Sequence, residues 1–298
     1  MSILFTNEIT KAVIKELRNA EQSVQIISAY CKEESIKRLA RNIRDDIFDK
    51  KIMIRFRLDD LIRGSTDFDV AEYCLSSGWE VYFRFDLHAK TYIVDNKRGI
   101  VTSANATGRG LAIEQQGNME MGTLVDIESP DIKKIDELYR DAIKLDKVLL
   151  EEFRKQYEKI DKQEKNIRYT WDINICSRFN PHINSLFSYE LPLKEVYEEG
   201  DYIEFLDMDF LNVYDFKETF RWSNAYLWLM TVLKENDGCM FFGALSSNLH
   251  EVLITDPKPY RKDVKILLSN LLSLIETLNM AEIVVDRPNY SQRVRLVK

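Results

Sequence analysis

Leu87-His88-Ala89-Lys90-Thr91-Tyr92-Ile93-Val94-Asp95-Asn96-Lys97-Arg98-Gly99-Ile100-Val101-Thr102-Ser103-Ala104-Asn105 places two apolar, β-branched runs on either side of a polar turn, Asp95 to Gly99. That is the pattern of a β-hairpin. Side chains alternate faces along a strand, so His88 and Lys90 share one face of the first run, and Ser103 and Asn105 share one face of the second. If the hairpin closes with Asp95 opposite Arg98, Lys90 lies opposite Ser103 and His88 opposite Asn105. Opposed side chains sit ~5 Å apart. An imidazole, an ammonium, a hydroxyl and an amide then gather at one end of the ribbon.

Working outward, the first half alternates strand and helix. Strands are expected at residues 23–29, 51–58, 80–85 and 100–103. An amphipathic helix is expected at 33–49, with Ile36, Leu39, Ile43 and Ile47 on one face. Residues 68–77 read as a helix stopped by Gly78. This alternation predicts an α/β/α sandwich around a mixed sheet. Pro130 opens a charged helical region running to about residue 165. The expected division is a catalytic domain at 1–148, a helical connector at 149–168 and a C-terminal recognition or interaction domain at 169–298. The last part is read as mostly α, with apolar helices at 224–234 and 262–278 followed by a basic hairpin. Two helices and a hairpin suggest a winged-helix-like module.

The composition is that of a globular protein, 45% hydrophobic and 31% charged over 298 residues. No apolar run reaches the roughly 18 residues needed to span a bilayer, and the first residues lack the basic and apolar regions of a signal peptide. The expectation is a cytoplasmic protein with no membrane partner. Cys31, Cys74, Cys176 and Cys239 are scattered without a CxxC pair, which argues for buried reduced thiols over a disulfide framework. The net charge of −7 does not advertise a nucleic-acid surface. Local fields decide that, however, and residues 258–298 carry eight Lys and Arg against four Asp and Glu. They follow an acidic stretch, Glu195 to Asp209, which is read as a solvated surface or as an autoinhibitory plug.

The clustered residues suit phosphodiester chemistry. A neutral imidazole can attack phosphorus. Lys90 and Asn105 can hold the non-bridging oxygens as charge develops, and Ser103 can donate a further hydrogen bond. One imidazole cannot both attack in line and protonate the leaving oxygen on the opposite side, so a second is wanted. With three histidines and no cluster of His, Asp and Glu at ligand spacing, no metal and no cofactor are expected.

These residues resemble the HKD motif of the phospholipase D superfamily, His-x-Lys-x4-Asp-x6-Gly-Ser-x-Asn. His88, Lys90, Asp95, Ser103 and Asn105 stand at its spacing, and Thr102 replaces the usual Gly. Asn118-Met119-Glu120 resembles the family's Asn-x-Glu element. The similarity covers about residues 20 to 145. It implies that Glu120 orients a histidine ring, that Asp95 and Thr102 support the site, and that two motifs act together. Neither His182 nor His250 begins a second motif. The resemblance therefore implies a homodimer, one His88 attacking and the other protonating the leaving group. A short single-motif chain looks most like the superfamily's bacterial nucleases, including metal-independent restriction endonucleases. The expected function is DNA cleavage, DNA being favoured over RNA, in restriction or phage defence, with other defence-system proteins as further partners. Two alternatives stay open: a phospholipase or phosphatidyl transferase, and an inactive nucleic-acid-binding assembly subunit. Arg109 is read as a substrate-backbone contact or a plain loop residue. Arg287, Arg293 and Arg295 are read as wing contacts to phosphates or as a solvated sheet edge.

Overall fold

The computed structural model describes residues 2–113, 117–160, 169–176, 178–179 and 183–297. His182 and residues 161–168 of the expected connector lie outside them. The chain divides into two compact units, Met1–Phe179 and Asn180–Lys298.

Unit 1 is built on an eight-stranded mixed sheet. In chain order its elements are β1 (Ile3–Phe5), α1 (Thr6–Arg18), β2 (Ser23–Ser28), α2 (Glu33–Ala40), β3 (Asp49–Ile54), α3 (Leu58–Ile62), α4 (Asp69–Ser76), β4 (Glu80–Phe83), β5 (Lys90–Val94), β6 (Arg98–Thr102), β7 (Met121–Asp126), α5 (Ser129–Arg140), β8 (Ile143–Lys144), α6 (Lys147–Glu158) and α7 (Ile173–Cys176). The strand order is β1-β7-β6-β5-β2-β3-β4-β8. Strands β2, β3 and β4 run parallel, joined by helical crossovers, and the other pairings are antiparallel.

All six residues of β2 are buried, as expected for a strand covered on both faces. On one face, Ile27, Met53 and Ile93 pack with Ile135, Leu138 and Tyr139 of α5. Alternation sends Phe83 to the other face, where it stacks on Phe56 with ring centroids 4.0 Å apart. Phe153 of α6 meets both rings edge-on, at 5.2 and 5.5 Å. Trp171 closes the cluster and donates its indole N–H to the Phe56 carbonyl at 2.6 Å. Helix α6 is thus a core element of unit 1, and the unit continues past the expected boundary to Phe179.

Other expectations change in detail. The helix expected over 33–49 ends at Ala40, because Asn42 turns its amide back to the Arg38 carbonyl at 2.9 Å. The charged helical region after Pro130 is two helices, α5 and α6, separated by the edge strand β8. None of the four cysteines is in a disulfide, and Cys31 and Cys74 are buried, but Cys176 is half-buried and Cys239 is exposed, since it opens a three-residue edge strand. Cys31 is buried, and that burial pushes its thiol up to about 12.

Unit 2 contains β9 (Tyr202–Ile203), β10 (Met208–Asp209), α8 (Val213–Arg221), α9 (Asn224–Glu235), β11 (Cys239–Phe241), α10 (Phe242–Val252), α11 (Arg261–Thr277), β12 (Ile283–Asp286) and β13 (Arg293–Leu296). Phe216, Phe220, Trp228, Leu229, Leu268 and Leu271 form the heart of its core. From α9 onward the order is helix, strand, helix, helix, strand, strand, and the sheet order is β11-β13-β12. This is the topology of a winged helix, with α11 in the place of the recognition helix and the β12–β13 connection as the wing. The hairpin was legible in the sequence; α10 and β11 were not.

Candidate active site

Three strands end together. Ser28 at the end of β2 pairs with Ile54 at the end of β3 and with Lys90 at the start of β5. The residues just beyond, Tyr30, Arg55 and His88, therefore crowd one end of these central strands. Crevices at the carboxyl ends of parallel strands are where such sheets bind ligands.

The fourth component arrives by a different route from the one expected. In the β5–β6 hairpin Val94 pairs with Arg98 and Thr91 with Val101. The register is shifted by one residue, so Lys90 does not lie opposite Ser103, nor His88 opposite Asn105. The cause is the turn. Asp95 and Asn96 both adopt positive φ, 55° and 52°. The Asp95 carboxylate leaves the ladder to accept the backbone N–H groups of Glu21, Gln22 and Ser23, at 3.0, 2.7 and 2.9 Å. Strand β6 then ends at Thr102. Thr102 holds the exit, its hydroxyl donating to the Met121 carbonyl and accepting from the Ala104 N–H, both at 3.0 Å.

Beyond that point the chain crosses the end of β5. Ser103 is still tied to the β7 side, its N–H donating to the Met121 carbonyl at 2.9 Å. Three residues on, Ala106 is tied to β2, its N–H donating to Ser28 Oγ at 2.9 Å. Asn105 lies between these anchors. Its Oδ1 accepts the Tyr30 backbone N–H at 3.0 Å, which fixes the amide orientation. Nδ2 keeps its two donors free of protein acceptors among the described residues. Gly110 secures the loop from behind: a Cβ there would lie 2.4 Å from the Asn105 carbonyl oxygen.

His88 is exposed and Lys90 is buried. The Lys90 ammonium donates to the His88 carbonyl at 2.6 Å and stands 3.3 Å from His88 Nε2. An ammonium only donates, so the ring nitrogen facing it carries the lone pair and the proton sits on Nδ1. The Lys90 charge, with burial and Arg55 adding to it, holds the His88 imidazole below its usual range. Burial and then Arg55 depress Lys90 itself, against the opposing pull of Glu120.

Glu120 is buried, and both of its carboxylate oxygens accept hydrogen bonds within its own chain. One oxygen accepts from the Ser103 hydroxyl and the other from Asn118 Nδ2 at 3.1 Å. Its backbone N–H donates to the Thr6 hydroxyl at 3.1 Å, and its carbonyl accepts from the Thr6 N–H at 3.1 Å. Among the described residues it makes no hydrogen bond to an imidazole; it braces Ser103. Arg109 has an exposed side chain, while its carbonyl accepts from the Asn118 N–H at 3.0 Å. In unit 2, Arg293 is forked onto Asp286 at 2.9 and 2.8 Å, and Arg295 reaches the same carboxylate at 3.4 Å. Arg287 is exposed. Tyr30, Arg55 and Thr6 were missed from the sequence. The first two lie just past strand ends, the one signal that could have singled them out.

Among the described residues, no group of three or more His, Cys, Asp or Glu is gathered where it could hold a metal ion. None of the described helices is long and apolar enough to cross a membrane.

The family model described as "Cardiolipin synthase, PLD-like domain" matches residues 13–142. No curated protein sequence matches the chain. Solved structures with similarity include NucT from Helicobacter pylori, at 16% identity and TM-score 0.36, covering 48% of this chain and 98% of that one. Nuc from Salmonella typhimurium, a phospholipase D family member, shows 18% identity and TM-score 0.38 over 48% of this chain and 97% of that one. Phosphatidylserine synthase from Haemophilus influenzae shows 15% identity and TM-score 0.35 over 53% and 45%.

Proposed function

From the premise that residues 13–142 are a domain of the phospholipase D superfamily, we propose that this chain is a metal-independent phosphodiesterase that cuts DNA as a homodimer. The observation that carries the reading is the pairing of an exposed imidazole with a buried ammonium, Nε2 to Nζ at 3.3 Å. An incoming phosphate draws the ammonium onto its non-bridging oxygens and leaves the Nε2 lone pair facing phosphorus. The lone pair forms the N–P bond as the P–O bond to the leaving oxygen breaks. The leaving oxygen takes its proton from the His88 ring of a second copy. That ring, now neutral, removes a proton from water, whose oxygen attacks phosphorus and frees His88. Lys90 and the Asn105 amide stabilise the charge that gathers on the non-bridging oxygens. Ser103, braced by Glu120, lies beside them.

The nucleic-acid reading draws support from unit 2. Its winged-helix topology sets Arg261, Lys262 and Lys265 on the solvent side of the first turns of α11. Such cations would bind backbone phosphates. A cutting unit joined to such a module fits a nuclease of restriction or phage defence, and Arg109 and Arg287 are its candidate backbone contacts. Arg293 and Arg295 serve first to hold the hairpin through Asp286.

The test is incubation of the pure chain with plasmid, single-stranded DNA, RNA and liposomes. Cleavage of plasmid that is lost in His88→Ala supports the reading. Lipid turnover without nucleic-acid cleavage would replace it with the lipase alternative. Tight DNA binding with no turnover of any substrate would replace it with the inactive assembly subunit.

A further inference from the structure

We propose that Arg55 is a third phosphate-binding cation of this site, aimed by Asp60 and Tyr30. The inference rests on the phosphate-site reading above and adds a residue outside the motif.

Arg55 follows the last residue of β3, whose neighbour in the sheet is the Ser28 that also pairs with Lys90. Its side chain is only 14% exposed and that of Asp60 10%. Asp60 grips one edge of the guanidinium in a fork, Nε at 2.8 Å and Nη2 at 2.9 Å. The Tyr30 hydroxyl accepts a further hydrogen bond from Nη2, and the guanidinium carbon stands 4.6 Å from the Tyr30 ring centroid. The plane is therefore fixed, and both N–H groups of Nη1 are left without a protein acceptor among the described residues. The same Tyr30 fixes Asn105 through its backbone N–H. One residue thus positions two donors, the Asn105 amide and the Arg55 fork.

The charge balance argues for an anion. Arg55 acts on both His88 and Lys90. Arg57, held by the Phe85 carbonyl, adds another half-buried cation that Arg55 repels. Against these stand Asp60, paired with Arg55, and Glu120, whose hydrogen bonds come from the neutral Ser103 and Asn118 and whose charge draws on Lys90. Asp86 is forked onto Arg84. Like charges crowded at the half-buried ends of these strands repel one another. A guanidinium serving only as the partner of Asp60 would gain nothing from standing beside Lys90 and His88. A phosphate bound between them relieves the repulsion and uses the open edge of the fork.

The test uses inorganic phosphate and the full chain. The imidazole signal of His88, assigned by its loss in His88→Gln, is followed by NMR during a phosphate titration. Wild type is expected to show a saturable shift. Arg55→Ala should raise the phosphate dissociation constant at least tenfold, and Arg55→Lys should restore part of the loss. Thermal unfolding identifies which variants are folded. If Arg55→Ala does not fold, Arg55→Lys carries the test, with an expected weakening of several-fold because the fork is lost. An unchanged dissociation constant in either folded variant overturns the proposal, as does a wild-type His88 signal that ignores phosphate. Diester hydrolysis by the wild type, measured separately, tests the parent reading. Phosphate bound through Arg55 without hydrolysis would sink that reading and leave this one standing.

Discussion

The Lys90 ammonium lies 2.6 Å from the carbonyl oxygen of His88 and 3.3 Å from Nε2 of the same residue. One cation thus holds the backbone of the residue it activates and dictates which ring nitrogen carries the lone pair. The relationship also sets the protonation state. Lys90 is the largest cause of the depressed His88 value, followed by burial and Arg55.

A pH dependence follows. The attacking ring must be neutral and the second copy's ring protonated, so activity passes through a maximum: it falls on the alkaline side as the second ring loses its proton, and on the acid side as pH drops through the free-enzyme value of the attacking His88. That value should lie below the usual imidazole figure of about 6.5. In an NMR titration of the His88 ring, Lys90→Met should move the midpoint upward, because the charge that opposes protonation is gone. A midpoint unmoved by that substitution would deny Lys90 its electrostatic role.

Asp95 stabilises the turn. Its carboxylate accepts three successive backbone N–H groups, from Glu21, Gln22 and Ser23. Asp95→Ala leaves those donors to water or to one another, and the loss should be about 2 kcal/mol of unfolding free energy. Chemical denaturation measures it. Cleavage per folded molecule should fall far less than in His88→Ala.

Gly110 lies against the backbone of Asn105. The added Cβ of Gly110→Ala would meet the Asn105 carbonyl oxygen at 2.4 Å and its nitrogen at 2.9 Å, and backbone cannot swing aside as a long side chain would. We expect roughly 1–3 kcal/mol of destabilisation and a fall in kcat of at least tenfold, since Asn105 must shift. Wild-type kcat in the folded variant would show that the position of Asn105 is not critical.

In unit 2, the double charge reversal Lys262→Glu with Lys265→Glu should weaken duplex binding. It should also lower the steepness of the salt dependence by about 2, near one for each phosphate no longer neutralised. Arg293→Glu should act differently. It breaks the fork to Asp286, so its main effect should be a lowered Tm. An unchanged salt slope in the double variant would remove α11 from the DNA-binding surface.

The spacing of His88, Lys90, Ser103 and Asn105 singled out one neighbourhood of the fold, although only Lys90 of the four stands on a strand: β6 ends at Thr102, and the chain beyond it carries Ser103 and Asn105 across the end of β5. The hairpin register was not legible. It depends on a tertiary contact, the capture of Asp95 by residues 21–23, which local pattern does not contain. Tyr30 and Arg55 were hidden for a similar reason: their place beside Lys90 exists only once β2, β3 and β5 pair. The unit boundary was misplaced because the solvent face of α6 is densely charged, while its core packing rests on a few residues such as Phe153. Helix α10 escaped notice because Gly243, Ser246, Ser247 and Asn248 thin its apolar pattern, although Leu245 and Leu249 are fully buried.

Whether the nitrogen of His88 bonds to phosphorus is best settled by trapping. The full chain is mixed with labelled duplex in excess EDTA, quenched in base within one turnover, and digested for mass spectrometry. The predicted result is brisk cleavage despite the chelator, with a nucleotide fragment joined to the His88 peptide and absent from His88→Ala. Cleavage that stops when divalent ions are removed, or that proceeds unabated in His88→Ala with no adduct, would contradict it.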